Sequence, residues 1–238
     1  MDVYVRPSDT LWYYSQLFNV PLQLITDSNP TINPLALQPR QVVKIPGYVT
    51  NQYTVQRGDS IWAIVQRVNM PMDVIFLLNQ EISPYDVLPV GRVLTLPVRV
   101  TWRVVNGNQE YDYNTMVQDI ETLQIIYPFL LNKSIGSTVL EKEIPGLFIG
   151  NGQKRVHFNA SFHANEWITT PVVMTFLNDY LLSLTNNNSI RGLYTLQLYV
   201  QTNLNIVPMV NPDGVDLVLN GPPENETVRN NVIAWNNG

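Results

Sequence analysis

Two side chains in this sequence stand where they can share a metal ion. His163 and Glu166 lie three positions apart in "NASFHANEWITTP" (Asn159–Pro171), where the apolar run Val156–Phe162 gives way to a helical pattern. Imidazole nitrogen and carboxylate oxygen are donors that Zn²⁺ accepts, and a catalytic zinc keeps one position open for water. Such an ion lowers the pKa of that water and polarises a neighbouring carbonyl. The competing reading is a capping glutamate beside a surface histidine, because His-x-x-Glu alone is a common pattern. The remaining histidine, His157, lies six residues before His163 on the same run. At ~3.3 Å per strand residue it is about 20 Å away unless the strand bends, which removes it as a third ligand.

The elements around this pair follow from the apolar periodicity. Glu166–Leu184 reads as a long helix with Ile168, Val172, Val173, Phe176, Leu177, Tyr180, Leu181 and Leu184 on its apolar positions. "LNIVPMV" (Leu204–Val210) is a buried-strand run ending at "NPDG", a tight turn in which Asp213 is expected to accept backbone N–H bonds. Upstream, Asn114 or Thr115 is placed to cap a helix whose apolar set is Met116, Val117, Ile120, Leu123 and Ile126. Asn132–Leu140 and Leu147–Ile149 read as strands, and "GNGQ" after them as a turn between strands. Two hairpin-like strands followed by strand–helix–strand imply an α/β domain, a mixed sheet covered by helices on both faces. Sites in such folds gather at the carboxyl ends of strands, where "FHANE" and "NPDG" both fall.

The first hundred residues hold a duplication. Val5–Pro34 aligns without a gap on Val55–Pro84, and after a one-residue slip Leu37–Pro46 matches Leu88–Pro97. Asp9/Asp59, Trp12/Trp62, Asn19/Asn69, Pro21/Pro71 and Asn29/Asn79 recur. Each copy reads as strand, helix, helix, strand. Asp9 or Asp59 is expected to cap the first helix, Pro21 or Pro71 to open the second, and Trp12 and Trp62 to pack in the core. A unit of about 45 residues is marginal alone, so the copies are expected to lean on each other or on the next domain.

Composition narrows the function classes. A formal charge of −5 with no basic run leaves no phosphate-neutralising surface, which argues against nucleic acid. With no cysteine, disulfides and thiolate ligands are excluded. No apolar stretch is long enough to span a membrane. The start, "MDVYVRPSDTLW", shows no signal peptide.

The second copy, "YTVQRGDSIWAIVQRVNMPMDVIFLLNQ…LPVGRVLTLP", resembles a LysM module, a family that binds N-acetylglucosamine-containing glycans such as peptidoglycan and chitin. The first copy departs at Ser8 and Arg40, where the second has Gly58 and Gly91, and those departures are expected to alter the turns. The resemblance implies a glycan groove formed by Asp9, Thr10, Asp59 and Ser60 with the loops after Asn29 and Asn79. The bland alternative is a pair of structural spacers. "SFHANEWITTPVVMTFLNDYL" followed by "LNIVPMVNPDGVDLV" resembles the zinc carboxypeptidase (M14) family, in which His-x-x-Glu supplies the first two zinc ligands. The resemblance implies that His163 and Glu166 are ligands of one Zn²⁺. The two resemblances together are similar to the bacterial γ-D-glutamyl-L-diamino acid endopeptidases, which cut peptidoglycan stem peptides between D-glutamate and meso-diaminopimelate or lysine.

The implied organisation is LysM-like modules at 1–47 and 51–98, then the amino-terminal portion of a carboxypeptidase-like domain at 99–238. The family's third ligand and its general base, a glutamate, have no match, so they are expected beyond Gly238 and this segment alone is expected to be inactive. A complementary carboxy-terminal fragment of the same protein is an expected partner. The implied location is cell-wall-associated, extracellular or sporangial, reached by export or by release on lysis. The alternatives are a non-catalytic glycan-binding protein on a truncated peptidase scaffold, and an unrelated enzyme or adaptor with two repeated modules.

Overall fold

The computed structural model describes residues 1–236. They fall into two compact units, one comprising residues 1–102, 124–129 and 180–196, the other residues 103–123, 130–179 and from 197 onward.

In the first unit each repeat folds as expected. The first copy runs β1 (Asp2–Tyr4), α1 (Leu11–Phe18), α2 (Leu22–Asp27), β2 (Val42–Lys44), and the second β3 (Tyr48–Thr54), α3 (Ile61–Val68), α4 (Met72–Leu78), β4 (Val93–Arg99). β1 pairs antiparallel with β2, Val3 opposite Val43. β3 and β4 pair over seven residues, from Tyr48 opposite Arg99 to Thr54 opposite Val93.

The helix caps are Thr10 and Ser60 rather than the aspartates. Thr10 Oγ1 accepts the Tyr13 N–H at 3.0 Å and Ser60 Oγ accepts the Ala63 N–H at 3.2 Å. Asp9 and Asp59 stand one residue too early to cap, and instead close the preceding turn. They accept the Arg6 and Gln56 N–H groups at 3.0 and 2.8 Å. The recurrent Asn19 and Asn69 are left-handed C-caps, with φ of 49° and 51°.

Ser8 and Arg40 keep the left-handed backbone (φ 73° and 68°) that Gly58 and Gly91 adopt (φ 90° and 89°). The expected alteration of these turns is therefore absent. Arg40 N–H still reaches the Val5 carbonyl, as Gly91 N–H reaches that of Val55. The tryptophans also differ from expectation. Leu11, Tyr14, Leu17 and Phe18 fill the first core, while Trp12 and Trp62 are 62% and 64% exposed. They occupy a helical position between core residues that points outward.

The copies do lean on each other. Arg6 donates to Asp73 at 2.9 and 2.6 Å, Tyr13 donates to the same carboxylate, and Gln80 Nε2 donates to the Tyr4 carbonyl at 2.9 Å. The Arg6 guanidinium holds the Asp73 carboxyl below its ordinary range.

The remaining elements are α5 (Tyr113–Ile126), β5 (Leu131–Ser137), β6 (Glu143–Ile149), β7 (Lys154–Asn159), a 3-10 turn (Ala164–Glu166), α6 (Thr169–Thr185), β8 (Ser189–Ile190), β9 (Leu193–Tyr194), α7 (Thr195–Gln201), β10 (Thr202–Val207), α8 (Pro212–Asn220) and α9 (Glu226–Asn236). The main sheet has the order β5-β6-β10-β7, with β10 antiparallel to β6 and parallel to β7. It is mixed, as expected. Leu147, Ile149, Leu204 and Ile206 are buried on one face, while Arg155, His157 and Asn159 are exposed on the other.

Several boundaries differ for physical reasons. Asp112, not Asn114 or Thr115, caps α5 by accepting the Thr115 N–H at 2.9 Å. "GNGQ" does not close a hairpin, because β10 lies between β6 and β7. Its glycines instead allow close backbone contact: a Cβ on Gly152 would lie 1.9 Å from the Gln201 carbonyl carbon. α6 buries Met174, Leu177, Tyr180, Leu181 and Leu184 but leaves Val172 and Phe176 exposed, as is Ile168 just ahead of it, so three of the eight expected apolar residues face outward.

Candidate functional site

β7 and β10 run parallel and stay paired beyond their ends. Ala160 N–H donates to the Val207 carbonyl, Val210 N–H to that of Ala160, and Asn211 N–H to that of Ser161, each at 3.0 Å. The segments that follow the two strands, "SFHANE" and "NPDG", are thereby held side by side.

Ser161 turns the chain there with φ 47°. Its N–H donates to Thr169 Oγ1 at 2.7 Å, and its hydroxyl meets Thr170 Oγ1 at 2.6 Å. Thr170 in turn donates to the Pro208 carbonyl at 2.6 Å. Ser161 and Thr170 are buried. This hydroxyl chain pins both ends of the His163–Glu166 turn to the sheet and to the start of α6. Buried hydroxyls left without partners are costly, so the chain favours one geometry for the turn.

Within the turn the two candidate ligands converge. His163 Nδ1 lies 3.1 Å from Glu166 Oε1, and Glu166 Oε2 accepts the His163 N–H at 3.3 Å. The imidazole, then the amide, hold the Glu166 carboxyl below its ordinary range. Both side chains are open to solvent, 70% and 47% exposed. The pair forms a capping box on the 3-10 turn, as the competing reading expected, and once the proton between them is displaced the ring nitrogen and carboxylate oxygen suit the donor preference of zinc.

"NPDG" opens α8 rather than forming an isolated turn. Asn211 Oδ1 caps it by accepting the Gly214 N–H at 3.0 Å. A Cβ on Gly214 would sit 2.9 Å from that of Ala164, so glycine lets α8 pack closely on the 3-10 turn. Asp213 accepts the Leu140 N–H and the Thr138 hydroxyl, both at 3.0 Å. That is the expected structural use, directed at the β5–β6 connection instead of its own turn.

Among the described residues no group of three His, Cys, Asp or Glu side chains is gathered to hold a metal. The His157 ring is engaged on the open sheet face, with Nδ1 2.6 Å from Asn205 Oδ1 and Nε2 3.4 Å from Asn159 Nδ2.

The six residues expected at the glycan grooves divide by exposure. Thr10 and Ser60 are exposed. Asn29 and Asn79 are buried, and their amides clip helix to strand. Asn29 Nδ2 donates to Ile25 and Lys44 carbonyls and its Oδ1 accepts the Lys44 N–H, while Asn79 does the same with Ile75 and Thr95. Both amides are thus engaged within their own module. Asp9 and Asp59 side chains are only 9% and 8% exposed. Asp9 also accepts the Tyr14 hydroxyl, and Asp59 that of Tyr53.

Sequence reasoning missed Ser161, Thr169, Thr170 and Asn211. The signal was the adjacent Thr-Thr ahead of Pro171 and the asparagine before Pro212, since hydroxyl and amide side chains concentrate at helix starts.

Comparison with known proteins gives the context. The zinc carboxypeptidase family model matches residues 116–236, and the LysM domain model matches residues 3–46 and 53–97. A Lysinibacillus sphaericus protein named gamma-D-glutamyl-L-diamino acid endopeptidase 1 is 58% identical over 236 residues, 99% of this chain and 59% of its own. Uncharacterized protein YqgT of Bacillus subtilis (strain 168) is 44% identical over 113 residues, 47% of this chain and 30% of its own. The chain thus spans less than two thirds of either relative. The crystal structure of thrombin activatable fibrinolysis inhibitor aligns at a TM-score of 0.42 and 21% identity, over 46% of this chain and 27% of that one. With the family model matched over just over half of its length, behind two LysM domains, the chain belongs to the zinc carboxypeptidase family.

Proposed function

We propose that this chain is the targeting and amino-terminal catalytic part of a zinc peptidase. Its substrate would be the bond between D-glutamate and meso-diaminopimelate or lysine in peptidoglycan stem peptides. The observation that carries this reading is the convergence of His163 and Glu166 at 3.1 Å beside paired strand ends, in a family chain that also bears two LysM domains. The 58% identity to the Lysinibacillus protein supports the choice of bond.

His163 and Glu166 would hold the zinc, which when bound supplies a polarised carbonyl and a water of lowered pKa. Glu166 enters that site already ionised, and the Ser161–Thr170 hydroxyl chain fixes its turn. The third ligand and general base are proposed to come from the residues that the longer relative carries beyond this span.

β7 is an edge strand among the described residues. Beside it lies an apolar hollow of about 340 Å³, lined by Phe158, Ala160, Val172, Val173 and Phe176 among others. Such an edge invites a further strand, and a complementary carboxy-terminal segment is the proposed partner.

Residues 1–47 and 51–98 are proposed as glycan-binding modules and residues 99–238 as the catalytic portion. The LysM domains would keep the protein on the cell wall or in the sporangium. The test joins residues 1–236 to the remaining segment of the Lysinibacillus protein and digests defined muropeptides. Cleavage after γ-linked D-glutamate is expected. Release of an ordinary α-linked carboxy-terminal residue would overturn the reading.

A further inference from the structure

Both LysM copies carry an exposed indole that the fold does not use. Trp12 and Trp62 stand at equivalent helix positions, 62% and 64% exposed, where core packing was expected. One turn further along each helix is an exposed glutamine, Gln16 or Gln66. Two residues before each tryptophan is an exposed hydroxyl, Thr10 or Ser60. The cap bond uses that hydroxyl as an acceptor from Tyr13 or Ala63 and leaves its proton free to donate.

A hydroxyl donor, a flat apolar ring and an amide therefore recur in the same order along α1 and α3. Neither set contains a charge of its own. Arg67, beside the second set, is ion-paired with Asp59 at 3.0 Å. An uncharged ligand with an apolar face and a hydrogen-bonding rim fits this pattern, and a pyranose ring with its acetamido group is such a ligand.

We infer that Trp12 and Trp62 are each a stacking platform for a sugar of an N-acetylglucosamine glycan, flanked by Thr10 with Gln16 and Ser60 with Gln66. The inference rests on the reading of the modules as glycan binders, and adds a contact face along the first helix. The Arg6–Asp73 pair ties the two copies together, so the two platforms are presented together without first ordering a linker. Linked sites of this kind bind with avidity.

The test uses the full chain in titrations with the β-1,4-linked N-acetylglucosamine hexamer and in pelleting on purified peptidoglycan. Trp12→Ala and Trp62→Ala are each expected to weaken binding three- to tenfold, roughly the worth of one aromatic stacking contact. The double variant should weaken it about a hundredfold through lost avidity, while Trp12→Tyr should restore much of the first loss. Trp235→Ala, also strongly exposed, serves as the control and should change nothing. These indoles add little to the cores, so thermal midpoints should hold. If the wild type binds neither ligand, this inference and the reading of the modules both fail. If it binds and the double variant matches it within about twofold, the inference alone fails. Sedimentation separates the remaining occupant: a wild-type dimer lost in the double variant, with glycan binding unchanged, would assign the face to a second copy and overturn the inference.

Discussion

Ser8 and Arg40 show how a module can keep its shape while losing its signature glycines. An L-residue in the left-handed region carries about 1–2 kcal/mol of steric cost, and both residues sit there with φ of 73° and 68°. Glycine would relieve that strain but would add about 0.5–1 kcal/mol of unfolded-state entropy. Ser8→Gly and Arg40→Gly are therefore each expected to stabilise the protein by about 0.5–1 kcal/mol, read as a raised denaturant midpoint. A lowered midpoint for both would mean that these turns are relaxed. The same comparison marks what the sequence could convey at this scale. The repeat located the turns, but a glycine missing from a motif says only that the backbone is costlier, not that it is different. Likewise Asn29 and Asn79 recur because a buried amide can bridge helix and strand, and recurrence alone does not separate that use from ligand binding. That His163 and Glu166 meet in one turn was legible from their type and spacing. The buried hydroxyl chain that aims them, from Ser161 through Thr170 to the Pro208 carbonyl, depends on a strand pairing that no local pattern reveals.

Elements were legible where one apolar period dominated. α5, α6, β10 and all four helices of the repeats fall within a few residues of their expected positions. The pairing order was not legible, because β10 enters between β6 and β7 from some fifty residues further along the chain. At this scale the contact between repeats also makes a prediction. Asp73 is held below the ordinary carboxylate range by Arg6, then stabilised by Tyr13. A depressed folded pKa means that the stabilising contribution is complete above the ordinary aspartate range and is lost as the pH falls through the lowered value. The pair is partly exposed, so its worth is about 1 kcal/mol or less. Asp73→Asn is thus expected to lower stability by about that amount at neutral pH. The gap from the wild type should close in acid. A gap that stays constant from neutral pH into strong acid would contradict an ionic contact between the copies.

For the whole molecule the proposed zinc site has His163 and Glu166 as two ligands and takes its third from residues outside this span. Two side chains and water hold zinc far more weakly than a set of three. The most direct measurement is zinc content after exhaustive dialysis, taken with the intact mass of the same sample. The 238-residue chain alone is expected to retain well below one zinc per chain. The chain joined to, or associated with, the remaining segment of the Lysinibacillus relative is expected to retain one zinc per chain, lost on His163→Ala. Tight one-to-one zinc in a sample shown to contain this chain alone would contradict the proposal, as would zinc retained in full by the joined protein after His163→Ala.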